Sequence, residues 1–169
     1  IDDGSKDNTV SKVKRFSEQF SIPIKIITGQ HKGPGAARNK GIYAAKSKWI
    51  AFIDSDDLWE ENKLEVVTRA MARNKSKNIF CNSEYHQDKY GAKILADYGK
   101  NYDLIAPLSQ QLYQRNLFST SAMVCSRELL IKYSCFDESL MNAQDYDLWL
   151  KISSESKPFF VREVLGVYK

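Results

Sequence analysis

Residues 49–59 read WIAFIDSDDLW, an apolar run that ends in three carboxylates, Asp54, Asp56 and Asp57. A short run with apolar residues on both faces suits a strand buried within a parallel sheet. Acids packed this closely repel one another, so the chain must end that strand where something balances them. In an α/β sheet, ligands gather at the carboxyl ends of the strands. The run therefore demands a fold that opens the end of this strand to a site.

The flanking pattern supplies such a fold. SKDNTVSKVKRFSEQF sets Val10, Val13, Phe16 and Phe20 near helical spacing, behind Asp7 or Asn8 as the N-cap. Residues 22–28, IPIKIIT, predict a strand, and 29–35, GQHKGPG, a Gly/Pro loop. Residues 36–47 read as a helix weakened by Gly41, 48–53 as a buried strand, 58–75 as an amphipathic helix and 78–86 as a strand. This alternation over residues 1–86 argues an α/β fold with a parallel sheet. The tyrosine-rich stretch from Gln87 to Asn101 reads as an irregular excursion or a hairpin. Helices follow at 107–116, 127–134 and 143–156, with a strand at 117–126. One domain covers residues 1–169. The chain opens on IDDGS, at the end of a strand, and closes on the strand-like VLGVYK. Both ends look cut, so the expectation is a piece of a longer protein that lacks at least its first strand.

A net charge of +4 spread without a dense basic block suits an anionic ligand and gives no case for nucleic acid. Ordinary surface lysines account for the charge by themselves. Cys81, Cys125 and Cys135 form no CxxC pair; Cys81 and Cys125 read as small core residues, and the odd count favours a reducing compartment. No apolar stretch reaches the roughly 18 residues that a membrane helix needs. His31 and His86 are isolated and read as loop or surface residues.

Alternate residues of an extended segment point the same way, so Asp54 and Asp56 can converge. Converging carboxylates are costly without a cation, and Mg²⁺ or Mn²⁺ prefers oxygen ligands of this kind. Such an ion can neutralise a diphosphate leaving group. Capping of the following helix is the competing account of DSDD, and it suffices for Asp57. Asp2 and Asp3 follow a probable strand, where an acid can accept hydrogen bonds from a ribose or base; capping by Ser5 or Asp7 explains part of that turn. GPGAARN joins a loop to a helix start, a place for a phosphate or nucleotide edge, with neither a Walker lysine nor a GxGxxG pattern. Arg38 reads equally as a ligand contact or a surface salt bridge.

Four motifs, IDDGSKDNT, GPGAARNKGI, WIAFIDSDDLWEENKLE and FDESLMNAQDYDLWLKI, occur in this order. Together they closely resemble family 2 glycosyltransferases, inverting enzymes of the GT-A fold. The resemblance implies a Rossmann-like, mostly parallel central sheet flanked by helices. It also implies that Asp3 with Asp2 binds the nucleoside of a nucleotide-diphosphate sugar, UDP-sugar by expectation, and that Arg38 and Ser55 belong to the same donor site. Asp54 and Asp56 would be the ends of the DxD motif, holding Mn²⁺ or Mg²⁺ and the sugar-diphosphate, with Asp57 beside them. Asp145 of QDYD would be the catalytic base, although the family often carries Glu-Asp where this chain has Gln144–Asp145. Asp147 reads as a first-turn dipole acid. Leu148 and Trp149 read as packing residues, and Trp59 as either cleft lining or core.

By the same resemblance the acceptor is a glycan or lipid-linked hydroxyl, the pathway is bacterial surface polysaccharide or lipopolysaccharide assembly, and nucleic acid is no partner. The location would be cytoplasmic, compatible with peripheral association at the inner face of the membrane. The PTYN-like turn of the family's early strand is absent, and without a QxxRW motif a processive synthase is not expected. Two other readings stay open: a non-catalytic GT-A-like sugar- or partner-binding domain, and a nucleotidyltransferase.

Overall fold

The computed structural model describes residues 1–169 except Asn101 and Leu104. Helices α1 (Thr9–Ser17) and α2 (Pro34–Ala44) precede strands β1 (Trp49–Ala51) and β2 (Leu58–Trp59). Helix α3 (Lys63–Arg73), strands β3 (Ile79–Gln87) and β4 (Lys93–Ala96) and helix α4 (Leu108–Gln114) follow. A 3₁₀ turn, Thr120–Ala122, leads into β5 (Met123–Ser126), α5 (Arg127–Lys132), α6 (Gln144–Ser153) and β6 (Phe159–Tyr168).

The strands form one sheet in the order β1-β5-β3-β6-β2, with β4 folded back on β3. The common direction is carried by β1, β3 and β6: β3 and β6 pair in parallel, and β5 is inserted antiparallel to both β1 and β3. Both faces are covered. Phe80, Val124 and Val161 point to one face beneath Val67 of α3, while their neighbours Ile79, Cys81, Met123 and Cys125 point to the other. This period-two division explains why the strands read as continuous apolar runs. On the second face Phe52, Phe136 and Trp149 pack edge to face, with centroids 5.5 to 6.3 Å apart. Leu148 and Trp149 are thus core residues, and burial pushes the Cys81 and Cys125 thiols up from their ordinary pKa, as inert core cysteines require.

Several elements differ from expectation. Residues 22–28 form only a single parallel bridge, Thr28 with Asp2, and leave Ile22 and Ile24 exposed. β-branched composition makes a strand only where a neighbouring edge accepts it. The buried strand expected at 48–53 is shorter and half-exposed, because β1 lies at one end of the strand order. The helix expected from residue 58 begins at Lys63; Leu58 and Trp59 instead pair with Val167 and Gly166 of β6. The stretch after Gln87 is a hairpin onto β4, with Asn101 outside the described residues. Among the described residues no helix is long and apolar enough to cross a membrane.

Two features lock α2 against the approach to α6. The buried Asn39 amide donates to Phe136 O at 2.8 Å and to Glu138 Oε1 at 2.9 Å, and its oxygen accepts the Phe136 N–H at 2.9 Å. Gly35 sits so close that a Cβ there would meet Gln144 Cγ at 3.3 Å. Replacing Asn39 by Ala leaves the buried Phe136 N–H and C=O unpaired. Such orphaned groups cost about 1–3 kcal/mol each. Asn39→Ala is expected to lower unfolding free energy by about 2–4 kcal/mol in a urea titration; a loss under about 0.5 kcal/mol would contradict this account.

Candidate functional site

Beyond β1 the chain turns sharply, with Asp57 N–H donating to Asp54 O at 3.1 Å. Asp54 is fixed from two sides. Ser121 Oγ accepts its backbone N–H at 2.9 Å, and Arg38 Nη2 donates to both carboxylate oxygens at 2.7 and 2.8 Å. Ionised partners make such bonds about twice as strong as neutral ones. The Arg38 guanidinium also lies 5.4 Å from the Phe136 ring centroid and is largely buried, so its salt bridge to Asp54 belongs to the cleft wall and not to the open surface.

Asp57 does not cap the next helix, whose N-cap is Asn62. Its Oδ1 accepts the Lys169 N–H at 3.0 Å, and its buried Oδ2 has no hydrogen-bond partner among the described residues. Ser55 and Asp56 are exposed. Among the described residues the Asp56 carboxylate makes no hydrogen bond or ion pair, which leaves it free for a ligand.

Asp145 stands in the first turn of α6 behind Ala143, the N-cap, which takes a left-handed φ of 57°. Thr120 Oγ1 donates to Asp145 Oδ2 at 3.1 Å. Adjacent residues of one buried turn, Thr120 and Ser121, thus hold Asp145 and the Asp54 backbone. The two carboxylates face a common cleft of about 270 Å³, whose walls include Arg38, Thr120, His86 and Tyr168. The Tyr168 hydroxyl is raised above its ordinary pKa, first by burial and then by the charges of Asp57, Asp56, Asp145 and Asp54.

Gln144 is buried and donates its Nε2 to Leu140 O at 2.8 Å, a bond that a glutamate carboxylate would not make. Asp147 pairs with Lys151 at 2.6 Å and is structural, as expected. Trp59 is half-buried and donates Nε1 to Ser121 O at 3.0 Å, so it braces the turn from beneath.

Asp2 and Asp3 do not line this cleft. Asp2 accepts the N–H groups of Gly4 and Ser5 at 3.2 Å and is held below its ordinary pKa by the Ser5 side chain and these bonds. Asp3 accepts from Gly33 N at 2.8 Å and Lys32 N at 3.0 Å, with His31 Nδ1 at 2.8 Å. Burial raises the Asp3 carboxyl, but these donors and the His31 ring together hold it below its usual value. Asp2 therefore closes its own turn, and Asp3 shapes the loop before α2. A groove of about 590 Å³ runs along β1 from Ile1 to Ser55 and meets the cleft at Pro34, Arg38 and Asp54.

Among the described residues no three Asp, Glu, His or Cys side chains form a metal cage. Mg²⁺ commonly takes one or two carboxylates and completes its shell with phosphates and water. An unpartnered Asp56 beside Asp54 fits that mode.

Sequence reasoning missed the support beneath the turn. Lys63 is fully buried, donating Nζ to Asn82 Oδ1 and to Ser121 O, each at 2.7 Å, and it lies 4.6 Å from the Trp59 ring centroid. Burial lowers its pKa from 10.5 to about 8, against the opposing pull of Glu84 and Asp57. The signal was present: Lys63 occupies the apolar stripe of α3 with Val67 and Ala70. His86 is exposed, as the surface expectation had it, but it stands in β3 rather than a loop and lines the cleft; Asn82, Glu84 and His86 recur at every second residue of that strand.

The pattern of Glycosyl transferase family 2 matches residues 1–140. The chain belongs to glycosyltransferase family 2. It is 32% identical over 157 residues to the Escherichia coli UDP-Glc:alpha-D-GlcNAc-diphosphoundecaprenol beta-1,3-glucosyltransferase WfgD, covering 92% of this chain and 57% of that protein. It is 30% identical over 149 residues to the Bacillus subtilis minor teichoic acid biosynthesis protein GgaA, covering 86% of this chain and 33% of that one. The crystal structure of S. aureus TarS 1-349 superposes with a TM-score of 0.80 at 18% identity, over 99% of this chain and 49% of that one. This likeness shows the GT-A fold. The chain spans between a quarter and three fifths of the length of three of the curated relatives it matches.

The Lys63 pKa shift gives a signed expectation. The unfolded chain binds the lysine proton up to about pH 10.5, while the folded chain releases it above about pH 8. Stability from this group therefore rises between those pH values and is missing below them. The unfolding free energy of the native protein relative to Lys63→Met should increase across this window in denaturant titrations. A difference that does not vary with pH would contradict the buried ammonium.

Proposed function

We propose that the whole protein transfers a sugar from a nucleotide-diphosphate donor, a UDP-sugar, to a hydroxyl of a glycan or lipid-linked acceptor, with inversion and with help from a divalent cation. The observation that carries this reading is the single turn that sets Asp145 and the Asp54 loop into one cleft. Family membership supports the reaction class. The names of WfgD and GgaA support a role in cell-surface polysaccharide synthesis, and TarS has been crystallised with UDP and with UDP-GlcNAc.

In this mechanism Asp145 accepts the proton of the acceptor hydroxyl as that oxygen attacks the anomeric carbon. The new C–O bond forms on the face opposite the departing nucleotide diphosphate, so one displacement inverts the centre. Thr120 orients the base through its bond to Oδ2. Arg38 fixes Asp54 at the diphosphate end, and Asp54 and Asp56 would hold Mn²⁺ or Mg²⁺ there. When bound, such an ion neutralises charge on the leaving diphosphate. Asp2 and Asp3 would take the nucleoside beside the loop that Asp3 shapes, with Ser55 next to the sugar-diphosphate. With Gln144 a neutral amide, Asp145 is, among the described residues, the only carboxylate at the head of α6 that lines the cleft.

The test is Asp145→Asn in the full-length protein. Donor binding should persist in calorimetry while turnover falls at least about 100-fold, the usual scale for loss of a general base. Turnover within about threefold of the native rate would remove Asp145 from the mechanism.

A further inference from the structure

One wall of the cleft is built from groups to which the reaction above gives no part. Glu84 of β3 is buried, yet it carries a carboxylate. Tyr98 donates its hydroxyl proton to Glu84 Oε1 at 2.6 Å. Burial, with Glu84 next, pushes that phenol far above its ordinary pKa, so it stays a donor. His86 Nε2 lies 3.2 Å from the same Glu84 oxygen and 3.0 Å from the Tyr98 oxygen. A carboxylate only accepts, and the one Tyr98 proton is committed to it. His86 Nε2 must therefore carry the hydrogen, and whenever the ring is neutral its lone pair lies on Nδ1.

Among the described residues Nδ1 has no partner, and the ring is part-exposed where it lines the cleft with Asp54 and Asp145. The Tyr168 ring packs beside it with centroids 5.0 Å apart. His86, Asp54 and Asp145 line the same cleft of about 270 Å³, so a sugar held in it faces all three.

We propose that His86, its tautomer fixed by Glu84 and Tyr98, is a specificity residue that accepts a hydrogen bond from a sugar hydroxyl through Nδ1. Tyr168 supplies the apolar surface beside it. The assignment rests on the glycosyl-transfer reading and deepens it: it concerns which sugar is held, and not the displacement itself. The hydroxyl belongs either to the donor sugar or to a saccharide acceptor, and the chemistry of recognition is the same for both.

The test uses His86→Phe in the full-length protein, which keeps an aromatic ring against Tyr168 and removes both nitrogens. His86→Gln is run beside it in case the phenylalanine variant fails to fold, with thermal melts as the control. Calorimetry with UDP, UDP-glucose and UDP-GlcNAc separates nucleotide from sugar binding, and transfer to octyl glucoside and octyl N-acetylglucosaminide reads the acceptor. If the donor sugar is held, UDP-sugar affinity falls about fivefold to tenfold while UDP affinity is unchanged. If the acceptor is held, donor affinities are unchanged and the acceptor KM rises by a similar factor with kcat retained. UDP-sugar affinity and acceptor KM both within about twofold of native would overturn the His86 assignment alone. A native protein that binds neither UDP nor either UDP-sugar would overturn the glycosyl-transfer reading and this assignment with it.

Discussion

The site depends on one buried turn. Thr120 and Ser121 are adjacent residues, and each ties down a different carboxylate segment, Asp145 through a side-chain bond and Asp54 through its backbone. These adjacent anchors tie α6 to the loop after β1, two segments from distant parts of the chain, while Arg38 holds Asp54 from the other side. The turn is in turn held from below by Lys63 and Trp59, which both donate to Ser121 O. A buried ammonium is expensive to desolvate unless its protons are satisfied. Here two hydrogen bonds, an aromatic face and the nearby Glu84 and Asp57 charges offset only part of that cost, and burial still lowers the lysine pKa to about 8.

Charge balance then explains the acidic run that opened the question. Asp54 is neutralised by Arg38, Asp57 is half-satisfied by a backbone N–H of Lys169, and Asp56 is exposed and has no partner among the described residues. The three acids of DSDD thus have three environments. One is fixed, one is buried and one is free. An arrangement that leaves negative charge uncompensated at the mouth of a cleft suits a cation that arrives with its own anionic substrate. Arg38 is shared between the cleft and the groove along β1, so it marks where the two concavities join.

The fold class was legible because apolar periodicity reports burial directly. The runs at β3 and β5 are buried on both faces and read as strands without difficulty. Where neighbours decide, the sequence misled. IPIKIIT has every intrinsic mark of a strand and pairs through Thr28 alone, and Leu58–Trp59 was absorbed into a helix because Trp59 fits helical spacing as well as a short ladder. The carboxylates Asp54 and Asp145 were legible from their motifs. The parts that hold them were not, since Thr120, Ser121 and Lys63 meet only in three dimensions. Glu84 and His86 were hidden in a strand whose apolar residues drew attention to packing.

In the proposed mechanism Asp54 and Asp56, with an ion, would grip the diphosphate of a nucleotide sugar whose anomeric carbon then faces Asp145. The most direct measurement is a crystal structure of the full-length protein with Mn²⁺ and a non-hydrolysable UDP-sugar. The account predicts anomalous density for manganese against Asp54 or Asp56, and the sugar lying in the cleft between that ion and Asp145. A nucleotide sugar bound elsewhere on the protein, or bound in the cleft with its anomeric carbon turned away from Asp145, would contradict it.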